Sequence, residues 1–298
     1  VRSAKTQTLE IAYLDLGPQD GWPVVLSHGF PYDPHAYDDV APLLVEAGAR
    51  VIVPYLRGFG PTRFLSQSTL RSGEQAALGK DVIDLLDALG IENAILSGYD
   101  WGGLASCVAA ALWPERVKGL VSYAGYDIID VKRQTHAYSP ELENVLWYQH
   151  LFQHERGREC LSLHRRTLCR MLWKQWSPHW AFDDIIYDRT ATSFENPDFV
   201  DVVIHAYRYH FGHAPGDPAL QDLEQRLAER PPILVPAITF DGTQDPLKPG
   251  GTADDAPMFK GRHQHRVIGC GHNLPWEAPN EFADGILCVR QWVVEAGH

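Results

Sequence analysis

The sequence predicts an α/β protein: a mostly parallel central sheet flanked by helices, with a helical cap inserted late in the chain. Three observations predict it. Over the first third, short apolar runs that end at Gly or Pro alternate with stretches of helical spacing. From about residue 128 to 228 no strong strand pattern is found, and the chain turns helical, aromatic and basic. After "ERPP" the strand–helix alternation returns.

The elements follow in order. "QTLEIAYLDLG" reads as a strand. "WPVVLSHG" and "ARVIVPYLRG" are apolar runs of the kind buried on both faces of a parallel sheet. "GEQAALGKDVIDLLDALGI" has helical spacing and a C-cap signal at Gly90. "NAILSGYD" is a strand, "GLASCVAAALWP" a helix stopped by Pro114, and "VKGLVSYAG" a further buried strand. "ENVLWYQHLFQHERG", "LHRRTLCRMLWKQW" and "PDFVDVVIHAYRYHFG" are the amphipathic helices of the insertion. "ILVPAITFDG" and "HQHRVIGCGH" are strands, and "NEFADGILCVRQWVVEA" closes the chain as a helix. The expected division is 1–127 with 229–298 as core, and 128–228 as cap.

Composition narrows the function. The 298 residues are 45% apolar and 21% charged, ordinary for a globular protein, and the net charge of −12 argues against a nucleic-acid surface. No run of about 18 apolar residues predicts a membrane helix. The first residues lack the apolar stretch of a signal peptide. Five cysteines without a C-x-x-C read as reduced thiols, which points to the cytoplasm. His205, His210 and His213 lack a ligand spacing, so no metal is expected.

The chemistry centres on "SGYDWGG". Gly98 to Gly102 has the G-x-x-x-G frame of a strained strand-to-helix turn, with Asp100 at its tip. Asp100 reads either as the N-cap of the next helix or as a carboxylate nucleophile. A carboxylate attacks carbon without first losing a proton and leaves an ester that must then be hydrolysed. "HGFP", His28 to Pro31, ends an early strand, where Phe30 would supply one oxyanion N–H and Trp101 the other. His272, in the Gly-flanked loop "GCGHNLPWEAP", is the candidate base. Asp245 in "DGTQDP" is the acid that would orient it, with Asp241 and Asp127 as rivals.

These stretches, in this order, resemble the α/β-hydrolase superfamily, and more narrowly its epoxide hydrolase and dehalogenase branch, where Asp replaces Ser. The resemblance spans nearly the whole chain. It implies two cap tyrosines that hydrogen-bond an epoxide oxygen: Tyr148 in "WYQHLFQHERG" and Tyr207 in "HAYRYHFG", with Tyr209 as rival. The implied reaction opens an epoxide to a vicinal diol through an ester on Asp100, without a cofactor. His28, Pro31 and Trp147 are expected around the substrate. The implied partner is a small apolar or aromatic epoxide, with a homodimer as the candidate assembly and no nucleic acid or membrane. Haloalkane or haloacid dehalogenation by the same Asp100 is the alternative, and a non-catalytic binding protein the third reading. Phe30 stands where haloalkane dehalogenases carry Asn, and Trp101 where fluoroacetate dehalogenases carry Arg; Trp147 would be the second halide donor.

Overall fold

The computed structural model of the protein describes residues 1–131 and 133–297. The strands are β1 (Arg2–Lys5), β2 (Leu9–Leu16), β3 (Trp22–Ser27), β4 (Ala49–Pro54), β5 (Arg63–Phe64), β6 (Ala94–Gly98), β7 (Val117–Tyr123), β8 (Ala237–Gly242) and β9 (His263–Ile268). They form one sheet in the order β1-β2-β4-β3-β6-β7-β8-β9, with β5 paired on β2. The pairings from β4 through β9 are parallel. The pairs β1–β2, β2–β4 and β2–β5 are antiparallel. β1 gave no sequence signal because "RSAK" is largely exposed and carries no apolar alternation.

Central strands are apolar throughout because helices cover both faces. Val24, Val25, Leu26, Leu96, Leu120 and Val121 are all fully buried. The helices before the insertion are α1 (Ala41–Glu46), α2 (Gln75–Ala88) and α3 (Trp101–Leu112). Those of the insertion are α4 (Pro140–Val145), α5 (Trp147–Phe152), α6 (Glu155–Trp176), α7 (Asp184–Ala191), α8 (Phe199–His210) and α9 (Gln221–Ala228). α10 (Leu274–Glu277) and α11 (Pro279–Glu295) follow the last strand. α2 packs on α3, and α1 on α11. No helix among the described residues is long and apolar enough to cross a membrane.

The helices between β7 and β8 do not act as one piece. α9 packs against α2 and α3 on the flank of the sheet, whereas α5, α6 and α8 pack on one another. Buried polar contacts join the inserted helices to the loop after β3. Trp173 Nε1 donates to Pro31 O at 2.9 Å, and Asp33 accepts from Thr190 Oγ1 at 3.1 Å and Ser193 Oγ at 2.7 Å. Burial pushes the Asp33 carboxyl up to about 6, against the pull of His35 and these hydroxyls.

Candidate active site

β6 ends at Gly98 and α3 begins at Trp101, so two residues make the turn. Asp100 sits there at φ 52° and ψ −130°, a conformation non-glycine residues seldom hold. The turn is possible because Gly102 has no side chain: a Cβ there would run into the Ser27 carbonyl of β3. Gly102→Ala is therefore expected to destabilise the fold by about 1–3 kcal/mol or more, as overpacked cores do. A urea midpoint equal to that of the unsubstituted protein would contradict this account of the turn.

The two readings of Asp100 meet in one carboxylate. Oδ1 accepts from Trp101 N at 2.7 Å, which is an N-cap contact, and from Phe30 N at 2.6 Å. Both expected oxyanion N–H groups thus converge on a single oxygen of Asp100. Oδ2 is left on the other side, 3.4 Å from His272 Nε2. Nearby, a Cβ at Gly29 would collide with the Asp100 side chain.

His272 follows β9 and is 3% exposed, so its charge must be balanced inside the protein. Its Nδ1 lies 2.8 Å from Asp245 Oδ2. Burial disfavours the imidazolium, but the Asp245 and Asp100 carboxylates outweigh it and raise the pKa of His272 to about 10. Burial likewise opposes the charge of Asp245, and His272 together with the Leu247 N–H holds its carboxyl below the usual range. The rivals are engaged elsewhere. Asp241 accepts from Thr252 Oγ1 at 2.7 Å and pairs with His265 Nε2 at 3.0 Å. Asp127 pairs with Lys248 Nζ at 3.3 Å.

Asp100, Trp101 and His272 open onto a cavity of about 360 Å³, and Tyr148 of α5 and Tyr207 of α8 line the same space. The two phenol rings stand 5.4 Å apart and nearly perpendicular. Gln149 Nε2 donates to the Tyr148 hydroxyl at 3.0 Å. Burial lifts both phenols well above their ordinary range, so both stay protonated. Tyr209, two residues beyond Tyr207, points away and stacks on His205 at 6.0 Å. Leu104, Ile129, Leu142, Leu146, Phe211 and Leu247 make much of the remaining wall apolar.

Three expected substrate contacts fall elsewhere. His28 is fully buried beneath the turn: Nδ1 contacts Gly29 O at 2.9 Å and Nε2 accepts from Leu56 N at 3.1 Å. Its place is to tie the ends of β3 and β4 together. Pro31 offers its carbonyl to Trp173 and so anchors the insertion instead of lining the cavity. The Trp147 N–H donates to Gln175 Oε1 at 3.0 Å, and Trp147 is not part of the cavity wall. The Phe30 side chain is buried among Trp101, Phe199 and Tyr207, and its amide is the part that contacts Asp100. Sequence reading missed the Asp127–Lys248 pair as a charged stretch of the cavity wall. A Lys in a loop "DPLKP" carries no spacing that would reveal it. His205 and His213 bond Pro215 O and Gln153 Oε1, and no group of three or more potential ligands gathers among the described residues.

The sequence pattern of the family described as "alpha/beta hydrolase fold" matches residues 23–279. The crystal structure of a "putative epoxide hydrolase" from Klebsiella pneumoniae superposes with a TM-score of 0.94, at 40% identity and over 97% of both chains. "Epoxide hydrolase B" of Mycobacterium tuberculosis is 34% identical over 152 residues, 47% of this chain and 42% of that protein. A "Haloalkane dehalogenase" of Mycolicibacterium paratuberculosis is 35% identical over 130 residues, 42% of this chain and 41% of that protein. The match thus spans less than half the length of these two relatives. With the family pattern running from β3 into the last helix, and Asp100, Asp245 and His272 each in a loop that follows a strand, the chain belongs to the α/β-hydrolase fold family.

Proposed function

We propose that the protein hydrolyses epoxides to vicinal diols in two steps. Asp100 Oδ2 attacks an epoxide carbon while the Tyr148 and Tyr207 hydroxyls donate to the ring oxygen, whose negative charge grows as the C–O bond breaks. A hydroxyalkyl ester forms on Asp100. His272, oriented by Asp245, then takes a proton from water, and that water attacks the ester carbonyl. The oxyanion that develops on Oδ1 meets the Phe30 and Trp101 amides that already hold that oxygen. As the intermediate collapses, His272 passes that proton to Oδ2, which leaves with the diol, and the second proton of the water replaces the one the phenols gave to the ring oxygen, so the carboxylate is restored. Each step uses only groups of this chain and water.

One observation carries the reading: a pair of protonated phenols shares a cavity with a carboxylate at the strand-to-helix turn. The apolar wall supports a small apolar or aromatic epoxide as substrate. Dehalogenation is kept as the second reading because the Trp101 indole lines the cavity beside Asp100. A panel of epoxides and haloalkanes separates them. Diol without halide release is the expected result, and halide release without diol would transfer the assignment.

The charge of His272 makes a pH prediction. In the free protein two carboxylates hold the imidazolium, with a pKa of about 10. Esterification removes the charge of Asp100 and its contact with Nε2, while burial still disfavours the cation. The pKa therefore falls in the ester, and the ring becomes a base when the base is needed. Ester hydrolysis is expected to rise with pH and level off well below pH 10 in single-turnover experiments. A rate still climbing at pH 10 would contradict this.

A further inference from the structure

Three successive amides in the loop that carries His272 are committed. Gly271 N donates to Glu277 Oε2 at 2.8 Å, and Asn273 N donates to Glu277 Oε1 at 3.0 Å. Between them, His272 N donates to Trp176 O at 3.0 Å. One carboxylate thus grips the backbone on both sides of the base. Ser177, which follows α6, joins the same centre: its hydroxyl donates to Glu277 Oε1 at 2.7 Å and lies 3.2 Å from Asn273 N. The strands of contact are close because Gly271 lacks a side chain; a Cβ there would press on Ser177. The Trp176 ring, one residue earlier, stands edge-on to the imidazole at 5.4 Å.

A loop with glycines at 269 and 271 has no backbone stiffness of its own. Capping the four-residue α10 would account for the Asn273 contact but not for the one to Gly271. Charge-assisted hydrogen bonds to both flanks fix the loop where a single bond would leave a pivot. We infer that Glu277 is a positioning residue for His272 beside Asp245, fixing the backbone that sets the angle at which Nε2 meets water on the ester, and that it does so jointly with the end of α6. The inference rests on the two-step reaction proposed above.

Glu277→Gln tests it. Both oxygens of Glu277 accept from amides, so the Gln side chain must turn its NH₂ against one of them and release one flank of His272. The reading is a quench-flow experiment with intact-mass detection on an epoxide that the unsubstituted protein turns over. It separates the rate constant of ester formation from that of ester hydrolysis. Hydrolysis is expected to slow by about 10- to 100-fold, the effect of a small misplacement of a catalytic group, while ester formation keeps its rate constant. Simple loss of folded protein would lower the amplitude of ester formation and leave both rate constants alone, and that result overturns the proposal. Equal slowing of both steps also overturns it. If Glu277→Gln does not fold, Glu277→Asp, too short to reach both amides, is read in the same way. An absence of ester even in His272→Ala is a separate outcome, which overturns the reaction and takes this inference with it.

Discussion

Replacing His272 with alanine is expected to leave a covalent ester on Asp100. Without the ring, the base set against the ester is lost, and general-base help of this kind is worth about 10²–10⁴-fold. The first step does not need the imidazole. Oδ1 stays tied to the Phe30 and Trp101 amides, which leaves Oδ2 turned to the other side. Exposure to an epoxide should raise the intact mass by that of the whole epoxide, on Asp100. A gain equal to an alkyl group without its halogen, after exposure to a haloalkane alone, would move the assignment to dehalogenation. No gain with either class would show that Asp100 is not the nucleophile for them.

The double substitution Tyr148→Phe with Tyr207→Phe should act on the other half of the reaction. Removing one donor from a developing oxyanion costs about 10²–10³-fold in comparable sites. Removing both takes away the two phenol donors of the proposed reaction, so ester formation should nearly stop. Phe keeps the packing of two rings that lie 5.4 Å apart, so stability should change little. An ester that forms at the unsubstituted rate in the double variant would remove the tyrosines from the mechanism. A slow hydrolysis of preformed ester would assign them to the wrong step.

The parts of the site that were legible in the sequence are those fixed by short-range geometry. A sharp turn between a buried strand and a helix demands small neighbours, so Gly98, Gly102 and Gly103 mark Asp100 out. The loop positions of His272 and Asp245 follow from where strands end. Tyr148 and Tyr207 were reached only through resemblance, since an aromatic residue on a helix looks the same whether it packs or reacts. The misplacements share a cause. His28, Pro31 and Trp147 neighbour site residues in sequence, and adjacency along a chain does not say which way a side chain turns. His28 turns to the Leu56 amide, and Trp147 turns to Gln175. Glu277 was legible only as part of a motif, because two of its partners are backbone amides that any residue could supply and the third, Ser177, lies far away in the sequence. The antiparallel β1 and β5 escaped because one is exposed and the other only two residues long.

The carboxylate stands after a strand of the sheet and the phenols on two helices of the insertion, and all three line one cavity. In the reaction proposed, the nucleophile enters along the line on which the ring oxygen leaves. The attacked carbon is therefore inverted and its neighbour keeps its configuration, because water later breaks the acyl bond and never touches that carbon. The handedness of the diol is then a record of which carbon was presented to Asp100. Two mirror-image epoxides give the same diol only if each offers the opposite carbon.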